Sequence, residues 1–151
     1  TKEKVADEFN KVDEYSKSKL KEIVKPLVGV KELLKNLKNA NILSSIATTD
    51  LSTRATLAMH DLELEEFFCD IAGADLVKNA KPSSDLVEYL INRHNLSVAD
   101  VVVVGDSMAD LNMAKNAKCK FIGVKSGLFT EEFINNSENV IDNLLEVEVK
   151  I

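Results

Sequence analysis

The chain has 151 residues, 45% of them apolar and 29% charged, the balance of one packed domain and not of a disordered or collagen-like polymer. Nineteen Lys and Arg against 25 Asp and Glu leave a net charge of −6, which argues against nucleic acid or an anionic membrane as the main partner. A small phosphorylated ligand stays compatible, because a few local cations or a metal override the global field.

Residues 2–24 set Val5, Phe9, Val12, Leu20 and Ile23 on one side of a helix of about six turns, which predicts an amphipathic helix packed within the chain. Left without partners, that stripe is also a route to self-association. Pro26 and Gly29 punctuate, and residues 30–37 read as a second helix with Leu33, Leu34 and Leu37 inward. Residues 42–47 form an apolar run closed by Thr48, Thr49 and Asp50, a strand and turn, after which 51–60 has helical spacing. A second strand is expected over 67–72, with Phe67 and Phe68 in the core. A helix follows over 84–93, entered through Lys81 and Pro82. Four valines at 101–104 predict a strand covered on both faces, ending in Gly105, Asp106 and Ser107. Residues 108–117 form the next helix and 119–124 the next strand, and the tail from 130 reads as a short helix on the sheet edge. His60 and His94 fall at helix ends, where an imidazolium is mildly favoured.

Strands alternating with helices at this spacing predict an α/β fold, a parallel sheet flanked by helices in three layers. Cys69 and Cys119 stand apart, with no CxxC pair, so buried free thiols are expected and not a disulfide or zinc site. No apolar run approaches the roughly 20 residues that span a bilayer, and a cytoplasmic protein is the expectation.

In an open α/β sheet, ligands bind beyond the carboxyl ends of the strands. Thr48 and Thr49 sit there, where hydroxyls and free N–H groups bind phosphate oxygens; equally, such a threonine caps the next helix with no ligand. Asp106 and Asp110 are one helical turn apart at the end of the valine strand and suit a hard cation such as Mg²⁺. The alternative is that Asp106 caps the helix and Asp110 complements its dipole. Lys81 is an ordinary loop lysine unless an anion lies beside it.

Taken in order, Ile46-Ala47-Thr48-Thr49-Asp50, Lys81-Pro82 and Val101-Val102-Val103-Val104-Gly105-Asp106-Ser107-Met108-Ala109-Asp110 resemble the haloacid dehalogenase superfamily in its phosphoglycolate phosphatase-like branch. The resemblance runs from about residue 26 to 143. It implies a Rossmann-like core over 26–151 and a remnant of a helical cap over 1–25. It implies an Mg²⁺-dependent hydrolase of small phosphorylated metabolites, in which Thr48, helped by the following backbone N–H, holds a phosphoryl oxygen. Lys81 would neutralise charge on the nucleophile and on the phosphoryl group, Asp106 would bind the metal and Asp110 would support it. Thr49 stands where the family often has a substrate-contacting asparagine.

The family's first motif, Asp-x-Asp at the end of an apolar strand, is missing: no two aspartates of this chain are two positions apart. The first of those aspartates attacks phosphorus and the second is the general acid and base. The strand that carries them lies mid-sheet, between the strands ending at Thr48 and at Gly105, so its absence predicts a central gap. The chain is then expected to be a fragment of a longer phosphatase and inactive alone; a strand donated by another polypeptide, or a relative that has lost catalysis, are the other accounts. A non-catalytic phosphate-binding or protein-interaction module of the same fold is the alternative to the enzyme. Gly105-Asp106-Ser107 also resembles the lipase and esterase nucleophile motif, but that group needs a later Asp-x-x-His, and both histidines precede Ser107.

Overall fold

The structure, a computed structural model, describes residues 24–126 and 130–150. The helix expected over 2–24, the cap remnant over 1–25 and the self-association drawn from them lie almost wholly outside that range.

Five helices are described: α1 (Val30–Asn39), α2 (Ser52–Asp61), α3 (Asp85–His94), α4 (Met108–Ala117) and α5 (Glu131–Asn136). Five short strands, β1 (Ser45–Ala47), β2 (Asp70–Ala72), β3 (Val102–Gly105), β4 (Lys120–Val124) and β5 (Val140–Ile141), all pair in parallel. They form two sheets, β1-β2 and β3-β4-β5. Among the described residues, no strand pairs with the outer edge of β1 or of β3, which is the expected gap.

One apolar cluster nevertheless spans both sheets. Leu86 and Val87 of α3 and Met113 of α4 are buried with Ala72, and Ala47, Val101 and Val103 pack against them. Side chains alternate faces along a strand, so Val103 and its β4 partner Phe121 share this face. Phe133 of α5 meets Phe121 edge-on there, at 6.0 Å between ring centroids and 86° between planes. The opposite face carries Val124, which is buried against Leu33 of α1 and Leu144. Helices therefore lie on both faces of a parallel sheet, the three-layer α/β arrangement.

Several expectations need correction. The valine strand is not covered on both faces: Val102 and Val104 are 47% and 45% exposed, because α1 covers β4 and leaves β3 bare. Phe67 ends a 3₁₀ turn (Glu65–Phe67), and Phe67 and Phe68 are only half-buried. Both thiols are free, but Cys69 is exposed and Cys119 half-buried. Burial raises the Cys119 thiol above the usual cysteine range. Pro82 does not occupy the first turn of α3; it follows a cis Lys81–Pro82 bond, three residues before the helix. His60 and His94 do end helices, and His94 with Arg93 ties the end of α3 to Asp70 of β2.

Candidate functional site

The carboxyl end of β3 runs straight into α4. Ser107 is the N-cap: its hydroxyl accepts from Asp110 N–H at 3.3 Å, and Asp110 reaches back in a reciprocal capping box. Asp106 is therefore not the cap. Asp110 Oδ2 accepts from Ser107 Oγ at 2.6 Å, from Ser107 N at 3.2 Å and from Asp106 N at 3.3 Å. Asp110 Oδ1 accepts from Lys81 Nζ, also at 2.6 Å. Both oxygens of Asp110 are thus committed within the protein.

The turn can fold this tightly because residue 105 lacks a side chain. A Cβ on Gly105 would stand 2.4 Å from Asp110 Cβ and 2.6 Å from its Cγ. The Lys81–Asp110 pair is nearly dry, with side chains 14% and 10% exposed. Burial pushes the Asp110 carboxyl up, but the hydrogen bonds from Lys81 and Ser107 and the charge of Lys81 outweigh it and hold Asp110 below the usual aspartate range.

The loop that delivers Lys81 is braced at both ends. Asp85 accepts from Asn79 N at 2.9 Å, from Asn79 Nδ2 at 3.1 Å and from Ser83 Oγ, and Asn116 of α4 donates to the Pro82 carbonyl at 2.9 Å. Lys81 comes from a loop, Asp106 from the turn after β3 and Asp110 from the first turn of α4, and they meet at the end of one strand.

Thr48 and Thr49 stand apart from this group. Thr48 N–H donates to Ala72 O at 2.9 Å, and its hydroxyl oxygen accepts from Asp50 N–H at 3.1 Å, a local ST-type turn. Thr48 does not cap α2, whose N-cap is Leu51 with no side-chain bond. Thr49 is exposed. Among the described residues no hydrogen bond or ion pair joins either threonine to Lys81, Asp106 or Asp110: one part of the expected site ends β1 of the first sheet and the other ends β3 of the second.

The fit to a hard cation is partial. Asp106 Oδ2 accepts from Ser126 Oγ, while Asp106 Oδ1 has no partner among the described residues. Asp110 already accepts through both oxygens, three bonds at Oδ2 and one at Oδ1, and among the described residues no three His, Cys, Asp or Glu side chains come together to hold a metal. One carboxylate with water and substrate oxygens is a combination that Mg²⁺ accepts, and Asp106 with its free Oδ1 fits the protein's share of it. Sequence reasoning places Ser107 in the strand-ending motif but misses its capping role, which the spacing Ser107-x-x-Asp110 signals; it misses Ser126 altogether, since a single loop serine carries no such signal.

A family model for haloacid dehalogenase-like hydrolases matches residues 1–124. The chain belongs to this family. Among relatives of the haloacid dehalogenase-like chain, a phosphoglycolate phosphatase from Vibrio cholerae is 32% identical over 124 residues, covering 79% of this chain and 55% of that protein. A phosphorylated carbohydrates phosphatase from Thermotoga maritima is 32% identical over 107 residues, covering 71% of this chain and 50% of its own length. Solved structures agree on the fold. A hydrolase from Pseudomonas syringae superposes with a TM-score of 0.76 at 26% identity, over 85% of this chain and 61% of that one. A haloacid dehalogenase-superfamily hydrolase from Ehrlichia chaffeensis gives 0.68, also at 26% identity, over 80% and 54%. The chain spans about half the length of the curated relatives it matches.

Proposed function

We propose that this chain is part of an Mg²⁺-dependent phosphomonoester hydrolase acting on a small phosphorylated metabolite, and that alone it does not turn over substrate. The observation that carries this reading is the convergence of Lys81, Asp106 and Asp110 beside an unpaired strand edge, with Thr48 at the end of the other edge. A strand ending in Asp-x-Asp and set between β1 and β3 would bring its carboxylates between these two groups.

The chain's own residues have definable tasks on this reading. The Thr48 oxygen already accepts a backbone N–H, so its proton is left to donate to a phosphoryl oxygen. Thr49, exposed beside it, would contact the substrate. Lys81 offers positive charge to the nucleophile and to the equatorial oxygens of the transferring group. Asp110 fixes the ammonium and supports the metal site from the next helical turn, and Asp106 would hold the metal. When bound, Mg²⁺ would supply charge neutralisation and orientation of the phosphoryl oxygens. No Asp-x-Asp occurs in the chain, and among the described residues no strand ends in one.

The test is phosphate release from p-nitrophenyl phosphate with Mg²⁺, comparing the 151-residue chain, its Asp106→Asn variant and a longer form that restores the upstream coding region. The expected result is no release by the chain above the Asp106→Asn control, and release by the longer form that Asp106→Asn abolishes. Release by the chain itself, lost on Asp106→Asn, would overturn the account of the missing nucleophile. The absence of Asp-x-Asp from the chain also favours a second reading, a non-catalytic phosphate-binding or interaction module, which predicts phosphate binding without turnover in every longer form.

A further inference from the structure

Among the described residues two polar side chains are buried, Asp110 and Ser126, at 7% and 9% exposure. Both serve the same turn. Asp110 accepts the N–H groups of Asp106 and Ser107, and Ser126 donates its hydroxyl to Asp106 Oδ2. Asp110 has the family context to explain it, whereas nothing assigns a role to Ser126.

We infer that Ser126 is a positioning residue that fixes the Asp106 carboxylate and keeps its second oxygen available to a divalent cation; this rests on the metal-binding role proposed above for Asp106. The terminal torsion of an aspartate is broad, so a carboxylate at the mouth of a site rotates unless one oxygen is tied down. Ser126 is placed for this by backbone and not by chance of rotamer. Its N–H closes a tight turn onto Val124 O at 2.9 Å, and the preceding Lys125 N–H bonds to Ile141 O of β5 at 2.9 Å. Lys125 Nζ in turn meets Asp142 Oδ1 at 2.6 Å. The end of β4 is thereby pinned to the β5 side while the hydroxyl reaches across to the end of β3. A buried hydroxyl without a partner is costly, and the Asp106 oxygen is the acceptor that satisfies this one. Groups that orient a metal ligand typically change metal affinity by 10- to 100-fold when removed.

The test uses Mn²⁺ as the probe and the intact chain, titrated by electron paramagnetic resonance, with broadening of the Gly105–Ser107 amides locating the ion. Ser126→Ala should weaken Mn²⁺ binding by about tenfold. Ser126→Thr, which keeps the hydroxyl, should stay within about twofold of the parent, and Asp106→Asn should remove binding at this turn. A merely structural serine would change the urea midpoint and not the affinity ranking. If Ser126→Ala folds poorly, Ser126→Cys fills the same space with a weaker donor and should fall between Ala and Thr. Mn²⁺ affinity unchanged in Ser126→Ala, with binding still lost in Asp106→Asn, overturns the role of Ser126 alone. Binding unaffected by Asp106→Asn, or no binding to the parent chain, overturns the metal reading beneath it.

Discussion

Replacing Lys81 by methionine removes one partner of the driest ion pair in the described structure and leaves the other charged. Breaking a buried pair in this way typically costs about 3–5 kcal/mol. Asp110 keeps three donors, the Ser107 hydroxyl at 2.6 Å and the Ser107 and Asp106 N–H groups at 3.2 and 3.3 Å, so the expected loss for Lys81→Met is about 2–3 kcal/mol at pH 7. For a domain of this size that is a fall of roughly 5–10 °C in melting temperature. The dependence on pH has a definite sign. Asp110 lies below the usual aspartate range when folded and near about 3.9 when unfolded. The pair's contribution is therefore complete above about pH 5 and is lost as pH falls through the folded value. The gap between parent and Lys81→Met, measured by urea unfolding followed by far-ultraviolet circular dichroism at pH 7, 5 and 3, should be widest at pH 7 and narrow at pH 3. A gap under about 0.5 kcal/mol at pH 7, the size of an ordinary surface change, or one that persists undiminished to pH 3, would refute this account.

Gly105→Ala would drive a methyl into the buried Asp110 side chain at 2.4 Å; the expected cost is about 1–3 kcal/mol, read as a lower urea midpoint. The open edge of β1 should be visible by amide hydrogen exchange. Thr48 N–H donates to β2, so by alternation the Ile46 amide faces β2 and the Ala47 amide faces the gap. Ala47 should exchange at least about tenfold faster than Ile46 and Thr48 in the isolated chain, and equal protection of all three would mean that the edge is paired.

The parts of this fold that were legible in the sequence are those set by local chemistry. α4 falls on the predicted residues 108–117 because a strand-ending Gly-Asp-Ser opens it and Lys118, at φ +60°, stops it. Leu33 and Leu34 are buried as their spacing requires. The strand expected over 42–47 pairs only from Ser45, since an apolar run does not reveal where a neighbour begins. Exposure of Val102 and Val104 was illegible for the same reason: four valines describe what a strand can be buried against, not whether a partner covers it. Lys81, Asp106 and Asp110 were singled out in the sequence as candidates by their place after strands, and the structure brings them into contact around Asp110. Ser126 was not found, because its importance comes from a contact 20 residues away with no pattern around it.

The two strand edges left unpaired among the described residues carry a consequence for how the chain behaves in bulk. Each presents backbone donors and acceptors in register, and the valines of β3 add an apolar face beside them. Such edges are templates for other strands, and the nearest supply in a concentrated solution is another molecule of the same sequence. Light scattering should grow with concentration and time, and a soluble valine-rich peptide able to cap the edges should suppress it. A fold with two open strand edges is a colloid problem before it is an enzyme problem.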